Sequence, residues 1–399
     1  MSYQSGRNIR VAYKAETTFN TLAGASAGTQ FRVNRGGLNL AKAPINPGEI
    51  RPDGMVTRGR HGQRSVAGNY EGDLSLGTFD GLFVGGFRSP FTALATITQA
   101  TAGMSSATLS VAAHSITAST GSFITSGLRI GDVIRATVGL VSGNLNRNLR
   151  ITGLTATVIT VAETMTVEAG PIATWTLIRP KKLLMGVTPA SFTVEETDQD
   201  IDASEVFTGC RVGKTSFTMV PNDIAKVTFD FAGADGQIMS GASSPYFTTP
   251  TATASLGMTA VEAAILLNGA AVIDLTGFKL DIDLKAAGTN VVGNTVTPDV
   301  FTNQMMTSGS IDGLMSDLQH LIDFNAETQF ALAVLLTENE TEPKDFISLY
   351  VPNFTFSSGS KSALGSDGPR TISMDMLIGA DDRGGAYDQT MVMLQTSAS

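Results

Sequence analysis

The residues with most chemistry to offer are three aspartates at alternate positions, Asp198, Asp200 and Asp202. Such a trio opens an EF-hand calcium loop, whose sixth residue must be glycine and whose twelfth must be glutamate. Those positions hold Ala203 and Gly209, so a solvated hairpin tip is the better account. His61, His114 and His320 stand apart, with neither metal-ligand spacing nor the carboxylate arrangement of a catalytic triad. The glycines spell neither a phosphate-binding loop nor a dinucleotide fingerprint. Cys210 is the only cysteine, which excludes an intrachain disulfide and a cysteine-based zinc site, and it reads as a small packed side chain. No catalytic, cofactor-binding or metal-ligating residue is assigned, and the chain is not expected to be an enzyme.

Other carboxylates are spaced for position along strands. Asp230 lies among Val227, Phe229 and Phe231, and Asp375 among Ile372, Met374 and Met376, both with the period of two that marks a half-buried strand. Phe278, Leu280, Ile282 and Leu284 alternate likewise with Lys279, Asp281 and Asp283. These segments recur in order. Tyr70 to Phe87 aligns without a gap on Thr307 to Phe324, placing Glu71, Asp73 and Ser75 on Ser308, Ser310 and Asp312, and Gly37 to Leu40 aligns on Lys279 to Ile282. Four matching elements indicate an internal duplication of a strand, long loop, strand, helix and hairpin unit. In the second copy Leu314, Leu318, Leu321 and Ile322 form a helical stripe expected to cover the sheet.

The expected fold is mainly β: sandwich or partial-barrel units, each with a flanking α-helix. Residues 1–92 with 185–240 form the first unit and 241–399 the second, ending in a C-terminal arm. Between them residues 93–184, rich in Thr, Ala and Val, read as an inserted small all-β domain, with short strands at Phe123-Ile124, Asp132 to Val138, Asn148 to Gly153 and Thr157 to Val161. Gly36-Gly37 marks a phase slip of the kind a β-bulge makes. Lys42 to Gly68, with three prolines and almost no apolar periodicity, reads as a long arm carrying Arg51, Arg58, Arg60 and Arg64. The acidic hairpin tips, Asp198, Asp200 and Asp202 in one unit and Glu338 and Glu340 in the other, would be its partners on a neighbouring copy.

A net charge of −9 argues against binding nucleic acid through its phosphates. No apolar run is long enough for a membrane-spanning helix, and MSYQSGRNIRVAY lacks the pattern of a signal peptide.

In SFTVEETDQDIDASEVFTGCRVGKTSFTMVPNDIAKVTFDFAGAD at 191–235, LTGFKLDIDLKAAGTNVVGNTVTPDVF at 275–301 and TGSFITSGLRIGDVIRATVG at 120–139, the chain resembles the tail tube, or major tail, proteins of long-tailed siphophages. The resemblance implies a structural virion protein whose sheet joins neighbouring copies into a barrel, with rings stacked into a tube through which DNA enters the host. It implies contacts with the tape measure, distal tail and tail terminator proteins, assembly in the host cytoplasm, and neither cofactor nor membrane. Two units per chain imply a trimeric, pseudo-sixfold ring, with a hexamer as the alternative. The polar faces, carrying Glu71, Asp73, Asp230, Asp281, Asp283, Asp312 and Asp375, would line the lumen and repel passing DNA without binding it specifically. A β-rich phage surface, adhesion or host-binding module is the alternative function.

Overall fold

Alternating apolar and polar residues build antiparallel strands with one face for a core, and pairing carries that pattern across most of the molecule. The computed structural model describes residues 3–365 and 368–398; among them are two α-helices, Asp80–Phe87 and Gln319–Asn325. Eight strands lie side by side, each antiparallel to the next. Their order is Arg35–Ile45, Arg60–Asp73, Lys226–Gly233, the second half of Ala203–Met219, Leu275–Asp283, Met306–Leu314, Thr371–Ile378 and the second half of Phe346–Lys361. This sheet is open and does not close into a barrel within one chain.

The first halves of the two long strands turn away into outer layers. Residues 203–208 lie between Phe192–Asp198 and Asp235–Ser240, with Ile9–Ala15 and Thr29–Phe31 beyond. Residues 346–351 lie between Phe330–Thr337 and Met393–Thr396, with Ala264–Leu267 and Ala270–Val272 beyond. The two halves of the chain therefore repeat one another strand for strand. Even an irregularity recurs, with the register slipping between Val212 and Lys214 and again between Phe356 and Ser358. The ladder corrects one equivalence. Glu71 lies between Arg35 and Thr228 as Asp312 lies between Gly277 and Ser373, so Glu71 corresponds to Asp312 and not to Ser308. The alignment without a gap failed because the link from strand to helix is shorter in the second unit. A slip of four residues preserves the face on which each side chain lies.

Residues between Ala95 and Arg179 form a separate eight-stranded sheet with its own core, in which buried Trp175 donates its indole N–H to the Ala107 carbonyl at 2.9 Å. Val133–Val138, Leu149–Leu154 and Val158–Val161 are strands as expected; Phe123-Ile124 is instead a turn that buries Phe123. This sheet seats on the outer layer of the second unit. The Gln395 side chain exchanges hydrogen bonds of 2.7 and 2.8 Å with the Val133 backbone, and buried Lys182 sits between Asp132 at 2.9 Å and Asp388 at 2.6 Å.

Four other expectations change. The two ends of the arm from Lys42 to Gly68 form a protruding hairpin, ordered by the ladder of Arg35–Ile45 with Arg60–Asp73 and leaving residues 46–59 as its connection. Residues 41–45 are exposed on both faces, so the backbone ladder left no hydropathy signal. The register slip falls between Lys42 and Pro44 rather than at Gly36-Gly37, since proline cannot donate to the ladder. Gly36 is required for another reason: its φ is +122°, and a Cβ there would lie 2.1 Å from the Asn69 carbonyl oxygen. The C-terminal segment is no arm, because Met393–Thr396 pairs with both Phe346–Lys361 and Lys182–Leu184. Finally, Leu314 belongs to a strand and Leu318 and Ile322 are exposed, so the second helix does not lay the expected stripe on the sheet.

Candidate functional site

The eight-stranded sheet gathers the predicted carboxylates onto one face. One cross-strand row reads Arg35, Glu71, Thr228, Ser216, Asp281, Ser308. The row on one side reads Asn69, Asp230, Lys214, Asp283, and on the other Asp73, Lys226, Thr218, Lys279, Ser310, Asp375, Ser358. Asp312 lies opposite Gly277 and Ser373. Because side chains alternate along each strand, all seven carboxylates share this face, and Tyr70, Phe229, Phe217, Leu280, Ile311 and Met374 share the opposite, buried one.

The polar face is less acidic than the carboxylates alone imply. Arg35, Lys214, Lys226 and Lys279 lie in the same rows, leaving a surplus of three carboxylates (7 − 4 = 3). Lys214 and Lys279 both reach Asp281, at 3.2 and 3.1 Å, Arg35 meets Glu71 at 2.6 Å, and Lys285 meets Asp283 at 2.7 Å. Partial burial would lift the Asp281 carboxyl, but hydrogen bonds from Ser216, Lys279 and Lys214 together hold it below the usual carboxylate range. Asp283 is lowered in the same way, the Lys285 side chain and backbone outweighing its burial. For Asp230 burial wins over Lys214, and its pKa is raised.

The basic residues of the hairpin are less available than expected. Arg51 pairs with Asp53 at 2.5 Å and Arg64 with Asp235 at 3.0 Å, whereas Arg60 sits in the ladder opposite Ile45 and Arg58 is in the exposed connection. Arg64 thus has its acidic partner within its own chain. The acidic tips are also engaged locally. Asp200 accepts from the Ser5 backbone N–H at 2.8 Å and the Asn8 amide at 2.5 Å, Glu338 accepts from the Leu256 N–H at 2.6 Å, and Glu340 pairs with Lys344 at 3.0 Å. Asp198 ends its strand and Asp202 sits in the following turn. His61 and His114 are exposed, His320 packs edge-on to Phe356, and Cys210 is buried, which pushes its thiol pKa well up.

Sequence reasoning missed the joint between the units. Residues 214–219 of the first pair with 278–283 of the second, from Lys214 opposite Asp283 to Met219 opposite Phe278. Lys214 facing Asp283 is the sole hint, and it acquires meaning only from the register. The two ends of the eight-stranded sheet resemble the strands that meet at this joint. Residues 357–361 at one end are exposed, as are Arg35, Gly36, Asn39 and Ala41 at the other.

A sheet with an apolar face under cover, a continuous polar face and two open edges defines a structural protein suited to joining copies of itself. The family model described as phage tail tube protein matches residues 6–376, and the chain belongs to that family. It is accordingly a structural component of the phage tail that assembles with itself into a tube. No curated protein matches the chain.

Proposed function

We propose that three copies close into a ring by repeating between chains the joint already made within each chain. The observation carrying this reading is the pairing of 214–219 with 278–283. The ladder equates Ser358 with Lys214 and Ala41 with Asp283, so residues 358–361 of one copy would meet 38–41 of the next. Eight strands per chain then give a barrel of 24 (3 × 8 = 24), with neither end of that sheet left unpaired. The ring is trimeric and pseudo-sixfold, built from 1–92 with 185–240 and from 241–399, with 93–184 on the outer side.

The polar face becomes the bore, where Glu71, Asp73, Asp230, Asp281, Asp283, Asp312 and Asp375 outnumber the cations and repel phosphate, while the paired lysines limit the field. DNA passes without specific binding, as the tube of a long, non-contractile siphophage tail requires for ejection into the host. The chain has no catalytic role. It is made in the host cytoplasm and meets the tape measure, distal tail and tail terminator proteins. Arg58 and the rest of the 46–59 connection reach the adjacent ring.

End-on electron microscopy of assembled protein tests the reading. Hollow rings with three outer protrusions, one for each inserted sheet, are expected; six protrusions or a persistent monomer would overturn the trimer.

A further inference from the structure

The joint within the chain involves more than a strand pairing. The segment leading into the second unit, ahead of Ala264–Leu267, first crosses the first unit and closes a gap in its wall. Leu74 N–H donates to the Ala225 carbonyl, Ala225 N–H to that of Met258, and Met258 N–H to that of Leu74, each at 2.8 Å. Gly257 and Thr259 bridge to Ser75 and Ile224 on either side. Met258 is thereby fully buried, together with Leu74 and Ala225.

The counterparts of Leu74 and Ala225 in the second unit are Met315 and Arg370. They repeat the first of these bonds, Met315 N–H donating to the Arg370 carbonyl at 2.8 Å. There the repetition stops. Among the described residues no group accepts from the Arg370 N–H or donates to the Met315 carbonyl, and Arg370 is exposed. Leu314, the chain neighbour of Met315, lines a small apolar crevice with Ile311, His320, Ile372 and Met374.

We infer that the N-terminal segment Tyr3–Asn8 of a second copy fills this gap, an inference that rests on the ring reading above. Ile9–Ala15 pairs with Phe192–Asp198 as Ala264–Leu267 pairs with Phe330–Thr337, so Tyr3–Asn8 is the counterpart of the lead-in that carries Met258. Each lead-in is held by the acidic hairpin tip of its own unit, Leu256 N–H by Glu338 at 2.6 Å and Ser5 N–H by Asp200 at 2.8 Å. When residues 358–361 of one copy meet 38–41 of the next, the incoming N-terminal segment lies toward Met315 and Arg370, as 256–259 lies toward Leu74 and Ala225. The added segment gives the Arg370 N–H and the Met315 carbonyl their partners. The contact is head-to-tail and closes on three copies.

Cysteine cross-linking tests this in a Cys210→Ala background. Ser316→Cys is combined in turn with Tyr3→Cys, Gln4→Cys and Gly6→Cys, and assembled tubes are oxidised and run on a non-reducing gel. At least one combination is expected to give disulfide-linked dimers and trimers from tubes and none from monomer. Tubes in which all three combinations stay uncross-linked overturn the inference while leaving the ring reading intact; an unsubstituted chain that never forms rings overturns that reading and the inference with it. Should the cysteine variants not assemble, hydrogen exchange on unsubstituted tubes decides. The Arg370 amide is expected to exchange at least about tenfold more slowly in tubes than in monomer, and an unchanged rate overturns the proposal.

Discussion

The two units share one ladder of strands but fill it differently. In the first, helix Asp80–Phe87 buries Leu82, Phe83 and Phe87 against the sheet, with Phe83 stacked on Phe217 at 5.7 Å, edged by Phe79 and tilted against Phe229. In the second, helix Gln319–Asn325 buries none of its residues, and Met374 stands where the first unit has Phe229. Strand order is thus set by backbone pairing and the alternation of faces, whereas the quality of the core depends on side-chain volume at each position. The first unit is roofed by its own residues and by the lead-in around Met258. The second borrows cover from the inserted sheet on its outer layer and keeps a small apolar crevice beside Ile311 and Met374. This asymmetry is what a repeat requires if one of its joints is internal and the other waits for a neighbour.

Substitutions should separate the two units. The largest effect is expected at the seat of the inserted sheet, where Lys182→Ala leaves Asp132 buried without its cation; a loss of about 3–5 kcal/mol is expected in denaturant unfolding of the monomer. A loss under about 1 kcal/mol would mean that the inserted sheet adds little to the second unit. Phe83→Ala in the first helix should cost about 3–5 kcal/mol by the same measurement. Ile322→Ala in the second should stay within about 0.5 kcal/mol; equal losses would remove the distinction between the helices. Gly36→Ala is expected to cost roughly 1–3 kcal/mol, because it imposes a left-handed φ on alanine and a clash with the Asn69 carbonyl. Its counterpart Phe278 needs no such freedom, and a neutral Gly36→Ala would show that the first hairpin bends elsewhere.

The smallest effect is in pH dependence. Asp281 has a lowered pKa in the folded chain, so its stabilisation is complete above its unfolded value and is lost as pH falls through the folded one. Asp230, raised by burial, has the opposite sign and favours folding as it takes up its proton. Melting temperatures of wild type and Asp281→Asn between neutral and acid pH should converge toward the acid end. A constant gap would assign the effect of the substitution to lost hydrogen bonds rather than charge.

Much of the candidate face was legible in the sequence. Alternation around Asp230, Asp281 and Asp375 fixed which residues share a side, since a period of two survives even an error of four residues such as the one made at Glu71. The protruding hairpin was not legible, because main-chain pairing at residues 41–45 requires no apolar side chain. The short second helix was misread because its stripe satisfied a helical period while only Leu321 packs against the core: Leu314 lies in a strand, Leu318 precedes the helix and Ile322 is exposed.

Local periodicity and short-range turn chemistry are enough to specify the duplicated strand units, the apolar and polar sides of each strand and the acidic hairpin tips. Long-range pairing sets which strands are neighbours, brings Lys214 and Lys279 to Asp281, places Asp200 and Glu338 on the lead-in segments and leaves the sheet with two open edges. Those features depend on register between segments far apart in the chain, and register is a property of pairing that no single stretch contains.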